Sequence, residues 1–394
     1  MSRFEEGIEH FDEENLLDLV ERMIRIPSHR EEPAEEKQIA EFLAKEFEAS
    51  GIRSELQQVD GERSNVIGKL GREVSGRSLM LNGHMDTVPP GQMKKPFTPK
   101  RSRGKLYGRG AVDMKGALGA MIYTAQLIEK SDVNLDGQLV VAGVVGEESG
   151  SPGTRYVVEN GPAVDMAIVG EPTELKLAVA HKGIEWIKIE LFGKSAHASV
   201  PQEGTNAIYR AADVIDALRD QLTSRLESRK NDLLGSPTFN VGVINGGSSP
   251  SIVPDSCVIK VDRRWIPEEN VSTLYDDIEG ILEDQKREHP DLKYRVSKAA
   301  EVGDFVHYPL NTDPGTPLVT TCRDALDDLG RSSEVSGVTY WSDAALLSEE
   351  AGTPSVVLGP GSIDQAHGPE EFVDIDQLCG AVEIYTKATL DLLD

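Results

Sequence analysis

Leu79-Met80-Leu81-Asn82-Gly83-His84-Met85-Asp86-Thr87-Val88 begins as an apolar run and ends in His-x-Asp. A run of this kind fits a buried strand, and His84 and Asp86, two residues apart, project to one side of an extended chain. The pattern recurs further on. Val140-Val141-Ala142-Gly143-Val144-Val145-Gly146-Glu147-Glu148-Ser149-Gly150 ends in two adjacent carboxylates, and Ala167-Ile168-Val169-Gly170-Glu171-Pro172-Thr173 ends in a third. Apolar strands with polar residues at their ends describe an α/β sheet whose ligands collect at the C-terminal ends of the strands.

The surrounding chain agrees with this reading. Helical spacing predicts helices over 15–26, 34–50 (stopped by Gly51), 115–130 and 153–159, alternating with strands over 54–59, 65–70, 78–82, 138–145 and 166–169. That alternation indicates a mostly parallel sheet. The character changes after Gly183. A strand over 184–192, a helix from 206 to about 226, strands 238–244 and 251–265 separated by the turn Asn245-Gly246-Gly247, a helix over 268–288 and a strand over 292–297 follow. Their order, β-α-β-β-α-β, is that of a ferredoxin-like α+β unit. From about residue 308 the α/β patterning returns, with helices over 318–329 and 343–350, a strand over 355–358 and a last helix from 376. The expected organisation is one α/β domain, 1–182 and 303–394, interrupted by an inserted unit, 183–302.

Composition narrows the function classes. The 394 residues carry 67 acidic against 41 basic side chains, a formal net charge of −26, which repels nucleic acid and anionic membranes as partners. The same charge suits either a salt-adapted host or an ordinary acidic cytosolic enzyme. The first 15 residues are acidic, the opposite of a basic signal-peptide start, and no window approaches the roughly 18 apolar residues of a membrane span. Cys257, Cys322 and Cys379 are scattered and show no C-x-x-C pairing, which fits a reducing compartment and disfavours a thiolate metal site. A cytoplasmic location is expected.

The strand-end clusters admit two readings each. Imidazole suits zinc, and a metal-bound His commonly passes its other N–H to a carboxylate, so His84 reads as a ligand with Asp86 as its orienter. A polar strand end making turn hydrogen bonds would look the same. In Tyr107-Gly108-Arg109-Gly110-Ala111-Val112-Asp113-Met114-Lys115-Gly116, Asp113 stands just before a helix and could be a simple N-cap. A phosphate loop fails there, because neither G-x-G-x-x-G nor G-K-[ST] is in register. Glu147 and Glu148 read as paired or metal-bound carboxylates or as a solvated acidic loop. His367 lies in Gln365-Ala366-His367-Gly368-Pro369-Glu370-Glu371, close behind strand 355–358. Single acids and histidines are mostly structural, but five such clusters, nearly all at strand ends, are hard to explain so.

Together these residues resemble the metallohydrolase family of acetylornithine deacetylase, succinyl-diaminopimelate desuccinylase, aminoacylase and glutamate carboxypeptidase. The resemblance runs essentially end to end and includes the order of all five clusters. It implies two divalent metal ions, zinc first with cobalt or manganese as alternatives. One would be held by His84, Asp113 and Glu171, the other by Asp113, Glu148 and His367, with Asp113 bridging and the peptide after it cis. It further implies Glu147 as general base toward a water shared by the metals, and the inserted unit as a lid and dimerisation domain. His197, in Gly193-Lys194-Ser195-Ala196-His197-Ala198, matches a histidine that reaches a neighbouring subunit's site to stabilise the oxyanion. Arg264 and Asn245 match positions that grip a substrate carboxylate, with Arg263 as a register-shifted alternative; a solvated surface His and a solvated strand Arg are the plain alternatives.

Within the family, Glu at position 171 favours deacylases and glutamate carboxypeptidases over aminopeptidases and dipeptidases, which tend to carry Asp. Ser336-Gly337-Val338-Thr339-Tyr340-Trp341-Ser342-Asp343 departs from the glycine-rich loop of desuccinylases, and Pro360-Gly361-Ser362-Ile363-Asp364-Gln365-Ala366-His367 is more similar to acetylornithine deacetylases. The expected activity is hydrolysis of the amide bond of an N-acyl amino acid. Carboxypeptidase or dipeptidase action on a short peptide is the alternative on the same site. A catalytically silent binding or assembly protein is the alternative from another class, and the retained Glu147 and ligand-type residues argue against it.

Overall fold

The computed structural model describes residues 2–72 and 77–394, which form two compact units. The first comprises Met1–Ala180, Asn311–Gly337 and Ser342–Asp394, and the second His181–Leu310 with Val338–Trp341.

The first unit is built on a nine-stranded sheet among the described residues. Its centre is four parallel strands in the order Gln138–Val144, Ser78–His84, Met166–Val169 and Ser355–Val357. The expectation of a mostly parallel sheet holds for this centre. Beyond it the pairing turns antiparallel, through the hairpin Arg53–Asp60 and Arg63–Gly71 on one side and Leu177–His181 on the other. Every residue of Gln138–Val144 is buried, which is why that strand reads as a continuous apolar run and not an alternating one.

Helix Lys115–Lys130 packs against helices Glu13–Ile24 and Ile375–Leu392, and it is buried on nearly every side. Its small residues permit that closeness: a Cβ on Gly119 would stand 2.6 Å from Val20 Cγ2. Side chains such as Leu81 and Met121, fully buried in this core, each contribute about 1.5–3 kcal/mol. No helix among the described residues is long and apolar enough to cross a membrane.

In the second unit, an antiparallel sheet runs in the order Thr238–Gly246, Ser256–Trp265, Gly183–Phe192, Lys293–Lys298. Gly183–Phe192 alternates strictly, burying Glu185, Ile187, Ile189 and Leu191 while Trp186 and Phe192 face outward. The buried face meets Leu274, Ile278, Ile281 and Leu282 of helix Val271–Glu288 and Ala211 and Val214 of helix Ala207–Ala217.

Several boundaries differ from the sequence expectation. Asn245 and Gly246 are not turn residues but pair with Val258 and Cys257, and the returning strand starts only at Ser256. Pro254 has no N–H to give a ladder, which keeps that stretch out of the sheet. The helix expected over 206–226 passes through a π-helical turn, Leu218–Leu222, into Thr223–Glu227. The helix expected over 343–350 is largely a π-helical turn, Leu346–Glu350. Strand Leu177–His181 was not expected from the sequence at all; it is fully buried but only five residues long.

Candidate metal centre

Because the four central strands are parallel, their C-terminal ends share one edge, and the polar clusters meet there. His84 is the last residue of Ser78–His84, Glu147 and Glu148 open a 3-10 turn after Gln138–Val144, and Glu171 follows Met166–Val169. Asp113 precedes helix Lys115–Lys130, and the Asp113–Met114 peptide is cis, as the resemblance implies. Gly146 turns the chain with φ +73°, and a Cβ there would stand 2.6 Å from Arg63 Nη2. His367 also has left-handed backbone, φ +61°, a conformation that costs a non-glycine residue about 1–3 kcal/mol and tends to be kept at functional sites.

The side chains interlock. His84 Nε2 lies 2.9 Å from Asp113 Oδ1 and 3.6 Å from Glu171 Oε1. His367 Nε2 lies 3.0 Å from Asp113 Oδ2 and 2.9 Å from Glu148 Oε1. The two oxygens of Asp113 are thus divided between the two histidines. His84, Asp113 and Glu148 each offer a ligand atom within 4.8 Å of the others. The Nδ1–H of His84 is taken by the Asp86 carbonyl at 3.0 Å, which leaves Nε2 as the atom that faces the carboxylates.

Asp86 lies beside His84 and has a second set of contacts. Its Oδ1 is 3.4 Å from His84 Nδ1, farther than its own carbonyl oxygen. The carboxylate also accepts the backbone N–H groups of Glu147 and Glu148, each at 3.1 Å. It therefore braces the turn that presents both glutamates.

The electrostatics reveal an excess of negative charge. Burial opposes charge on His84, yet the hydrogen bond to Asp113, with help from Asp86, pushes its pKa well above the usual imidazole value. The hydrogen bond to Asp113, then that to Glu148, raises His367 to about 10. Burial works to raise Asp113, but its bonds to His367 and His84 prevail and hold it below the usual carboxylate range. Burial followed by repulsion from Glu171 pushes Glu147 well up, and burial followed by repulsion from Asp113 does the same to Glu171 and raises Glu148. The carboxylate of Glu147 accepts no hydrogen bond from any described residue. Asp113, Glu147, Glu148 and Glu171 together carry four negative charges when ionised, matching the four positive charges of two divalent cations. A donor set of carboxylate oxygens and imidazole nitrogens fits such ions.

The remaining candidates lie in the second unit. His197 is exposed, and its Nδ1 faces Ser199, 2.7 Å from the hydroxyl oxygen and 3.2 Å from the backbone nitrogen. Arg264 is held by Asp262, Nε to Oδ1 at 2.8 Å and Nη2 to Oδ2 at 3.2 Å, and Asn245 is exposed. Arg263, the alternative, is fully buried and bonded to Glu269 and to the carbonyls of Thr238 and Arg264. It is spent inside the unit.

Several buried residues around the centre were not singled out from the sequence. Lys115 donates to the carbonyls of Met23 and Ile26 at the end of helix Glu13–Ile24, and burial lowers it to about 7. Asp343, bonded to Thr154 Oγ1 at 2.6 Å and raised by burial to about 6, adds to the repulsion on Glu147 and Glu171. Arg109 and Glu371 are both buried beside Asp113. Arg109, Lys115 and Glu371 all stood inside the quoted clusters, but a charged residue in a polar loop looks solvated until its burial is known.

The sequence pattern of the peptidase family M20/M25/M40 matches residues 80–391. The chain belongs to this family. It is 34% identical over 373 residues to an acetylornithine deacetylase of Proteus mirabilis (strain HI4320), a match covering 91% of this chain and 92% of that protein. The resemblance drawn from the five clusters is correct at the level of the family, whose members are hydrolases. Among solved structures, a tripeptidase of Staphylococcus aureus superposes with a TM-score of 0.80 at 22% identity, covering 97% of this chain and 98% of that one. A dinuclear metal-binding M20 peptidase of Bacillus subtilis superposes with a TM-score of 0.69 at 17% identity, covering 97% and 98%. These two likenesses show a common fold.

Proposed function

We propose that this family member is a dinuclear metal-dependent deacylase that releases the acyl group from an N-acyl amino acid. The observation that carries the reading is the division of Asp113 between two imidazoles, with Glu171 beside one and Glu148 beside the other. His84, Asp113 and Glu171 would hold one ion, and Asp113, Glu148 and His367 the other; the relative from Bacillus subtilis, a dinuclear metal-binding peptidase, supports the count. Zinc suits the mixed nitrogen and oxygen donors, with cobalt or manganese as substitutes. Such ions supply polarisation of the scissile carbonyl and a lowered pKa for the attacking water.

The protein's own groups supply the rest. The Glu147 carboxylate, which accepts no hydrogen bond from any described residue, takes a proton from the attacking water and delivers it to the leaving amine. Asp86 fixes the turn that aims Glu147. Arg264 and Asn245 receive the substrate carboxylate, for which a guanidinium offers a bidentate grip once Asp262 yields it. The second unit acts as a ferredoxin-like lid through which two copies pair, and His197 reaches the neighbouring subunit's site to stabilise the oxyanion. The enzyme works in the cytoplasm.

Glu171 and the deacetylase relative favour a deacylase, whereas the likeness to a tripeptidase keeps short peptides as the second reading. A panel of N-acetyl, N-succinyl and N-formyl amino acids, dipeptides and tripeptides, assayed with zinc, cobalt or manganese, separates them. The deacylase reading expects an N-acyl amino acid as the fastest substrate. Peptides cleaved faster than every acyl amino acid would overturn it.

A further inference from the structure

Glu371 and Arg109 sit where two of the polar loops meet. Glu371 lies four residues after His367, and its side chain is 1% exposed. One oxygen, Oε1, accepts the N–H of Val112 at 3.1 Å and that of Asp113 at 3.3 Å. The other, Oε2, takes Arg109 Nη1 at 2.5 Å, and the Glu371 carbonyl accepts the N–H of Gly108 at 3.2 Å. The Arg109 side chain is itself 2% exposed and, among the described residues, reaches no second carboxylate; it also donates to the carbonyl of Pro90 at 3.4 Å. A buried ion pair of this kind is weak as a source of stability, because desolvating both charges offsets their attraction. It is strong as a constraint on geometry. Here both partners tie the loop of Asp113 to the loop of His367.

We propose that Glu371, backed by Arg109, is a positioning residue that sets the distance between Asp113 and His367 and thereby the second of the two cation positions. The inference rests on the dinuclear reading above and adds to it a residue that touches neither ion nor substrate. The carboxylate holds the Asp113 backbone N–H, while His367, four residues earlier on the same segment, meets the Asp113 side chain. Removing the strut frees the two loops to move apart, and the position that spans both loops through Asp113 and His367 suffers more than the one in which Asp113 acts with His84 and Glu171.

The test uses metal-free full-length protein titrated with Zn2+ alone against a chromogenic chelator, with no activity readout. Wild type is expected to take up two ions in two resolvable steps. Glu371→Ala should weaken one step by about 10–100-fold, the usual effect of losing a group behind a metal ligand, and leave the other within a few-fold. Glu371→Gln carries the same test with less disruption, since an amide cannot accept from the backbone pair and from Arg109 together; about tenfold weakening of the same step is expected. A folded Ala or Gln variant that binds both ions as wild type does would overturn the inference. So would an equal weakening of both steps that tracks a fall in thermal stability, the signature of a purely structural role. Wild-type protein that takes up fewer than two ions would overturn the dinuclear reading instead, so the two failures are distinguishable.

Discussion

Replacing Asp86 by alanine tests the bracing role that the structure gives it. Its carboxylate, 4% exposed, is the acceptor for two consecutive backbone N–H groups at the turn of Glu147 and Glu148. A hydrogen bond to a charged group contributes about 1.5–3 kcal/mol, and the pair would sum to ~3–6 kcal/mol if both donors were left dry. Glu147 and Glu148 are only part-buried, so water can reach the turn and recover part of that loss. The expected destabilisation is therefore about 2–3 kcal/mol, below that sum. If the same disorder reaches Glu147 in the transition state, turnover falls roughly 30- to 150-fold at about 1.4 kcal/mol per decade. His84 should keep its orientation, because its Nδ1–H is held by the Asp86 carbonyl, which alanine retains. Urea unfolding of metal-free protein measures the first quantity and steady-state kinetics the second. A variant within 0.5 kcal/mol of wild type (roughly the spread of neutral surface substitutions) with full turnover would refute the bracing argument. A selective loss of the His84-side ion would instead restore the simpler role of an imidazole orienter.

Three further outcomes follow from the same geometry. Glu147→Ala should keep both ions yet lose about 10²–10⁴-fold in turnover, whereas His367→Ala should lower occupancy of one position; identical behaviour in metal content and rate would show the roles to be misassigned. In metal-free protein burial-opposed hydrogen bonding raises His84 well above the usual imidazole value and His367 to about 10, and Glu147, Glu148 and Glu171 are raised as well. Filling the site should then release protons near neutrality, and binding should weaken as pH falls, with the release read as a binding enthalpy that differs between buffers of unequal ionisation enthalpy. Equal enthalpies in both buffers would contradict this. Finally, mixing inactive Glu147→Ala and His197→Ala proteins under subunit exchange should rebuild about one quarter of wild-type sites, from subunit counting in a two-fold dimer. No rescue despite demonstrated exchange would remove His197 from the neighbouring site.

Much of this was legible before any coordinates. Helix Lys115–Lys130 and strand Met166–Val169 were read to the residue, because apolar content and flanking polar residues marked both ends sharply. Three of the five clusters, those of His84, Glu147 and Glu171, converge because a parallel sheet brings the ends of its strands to one edge, a consequence of topology and not of any single motif. What escaped the reading was whatever depends on long-range packing. The antiparallel flanks and the short strand Leu177–His181 are decided by neighbours far away in sequence. The π-helical turns at Leu218–Leu222 and Leu346–Glu350 carry no local signal that separates them from α-helix. The carboxylate of Asp86 could be placed near His84 from spacing, but its shorter contacts are to amides 61 and 62 residues away. Glu371 reaches Asp113 across 258 residues, and nothing in Pro369-Glu370-Glu371 distinguishes the buried glutamate from the exposed one.

The central claim is that two divalent cations are held by His84, Asp113, Glu148, Glu171 and His367. Anomalous diffraction from crystals of the zinc-loaded protein, collected on either side of the zinc absorption edge, tests it most directly. The account predicts two anomalous peaks per chain, one between His84, Asp113 and Glu171 and the other between Asp113, Glu148 and His367. A single peak at saturating zinc, or two peaks away from Asp113, would contradict it.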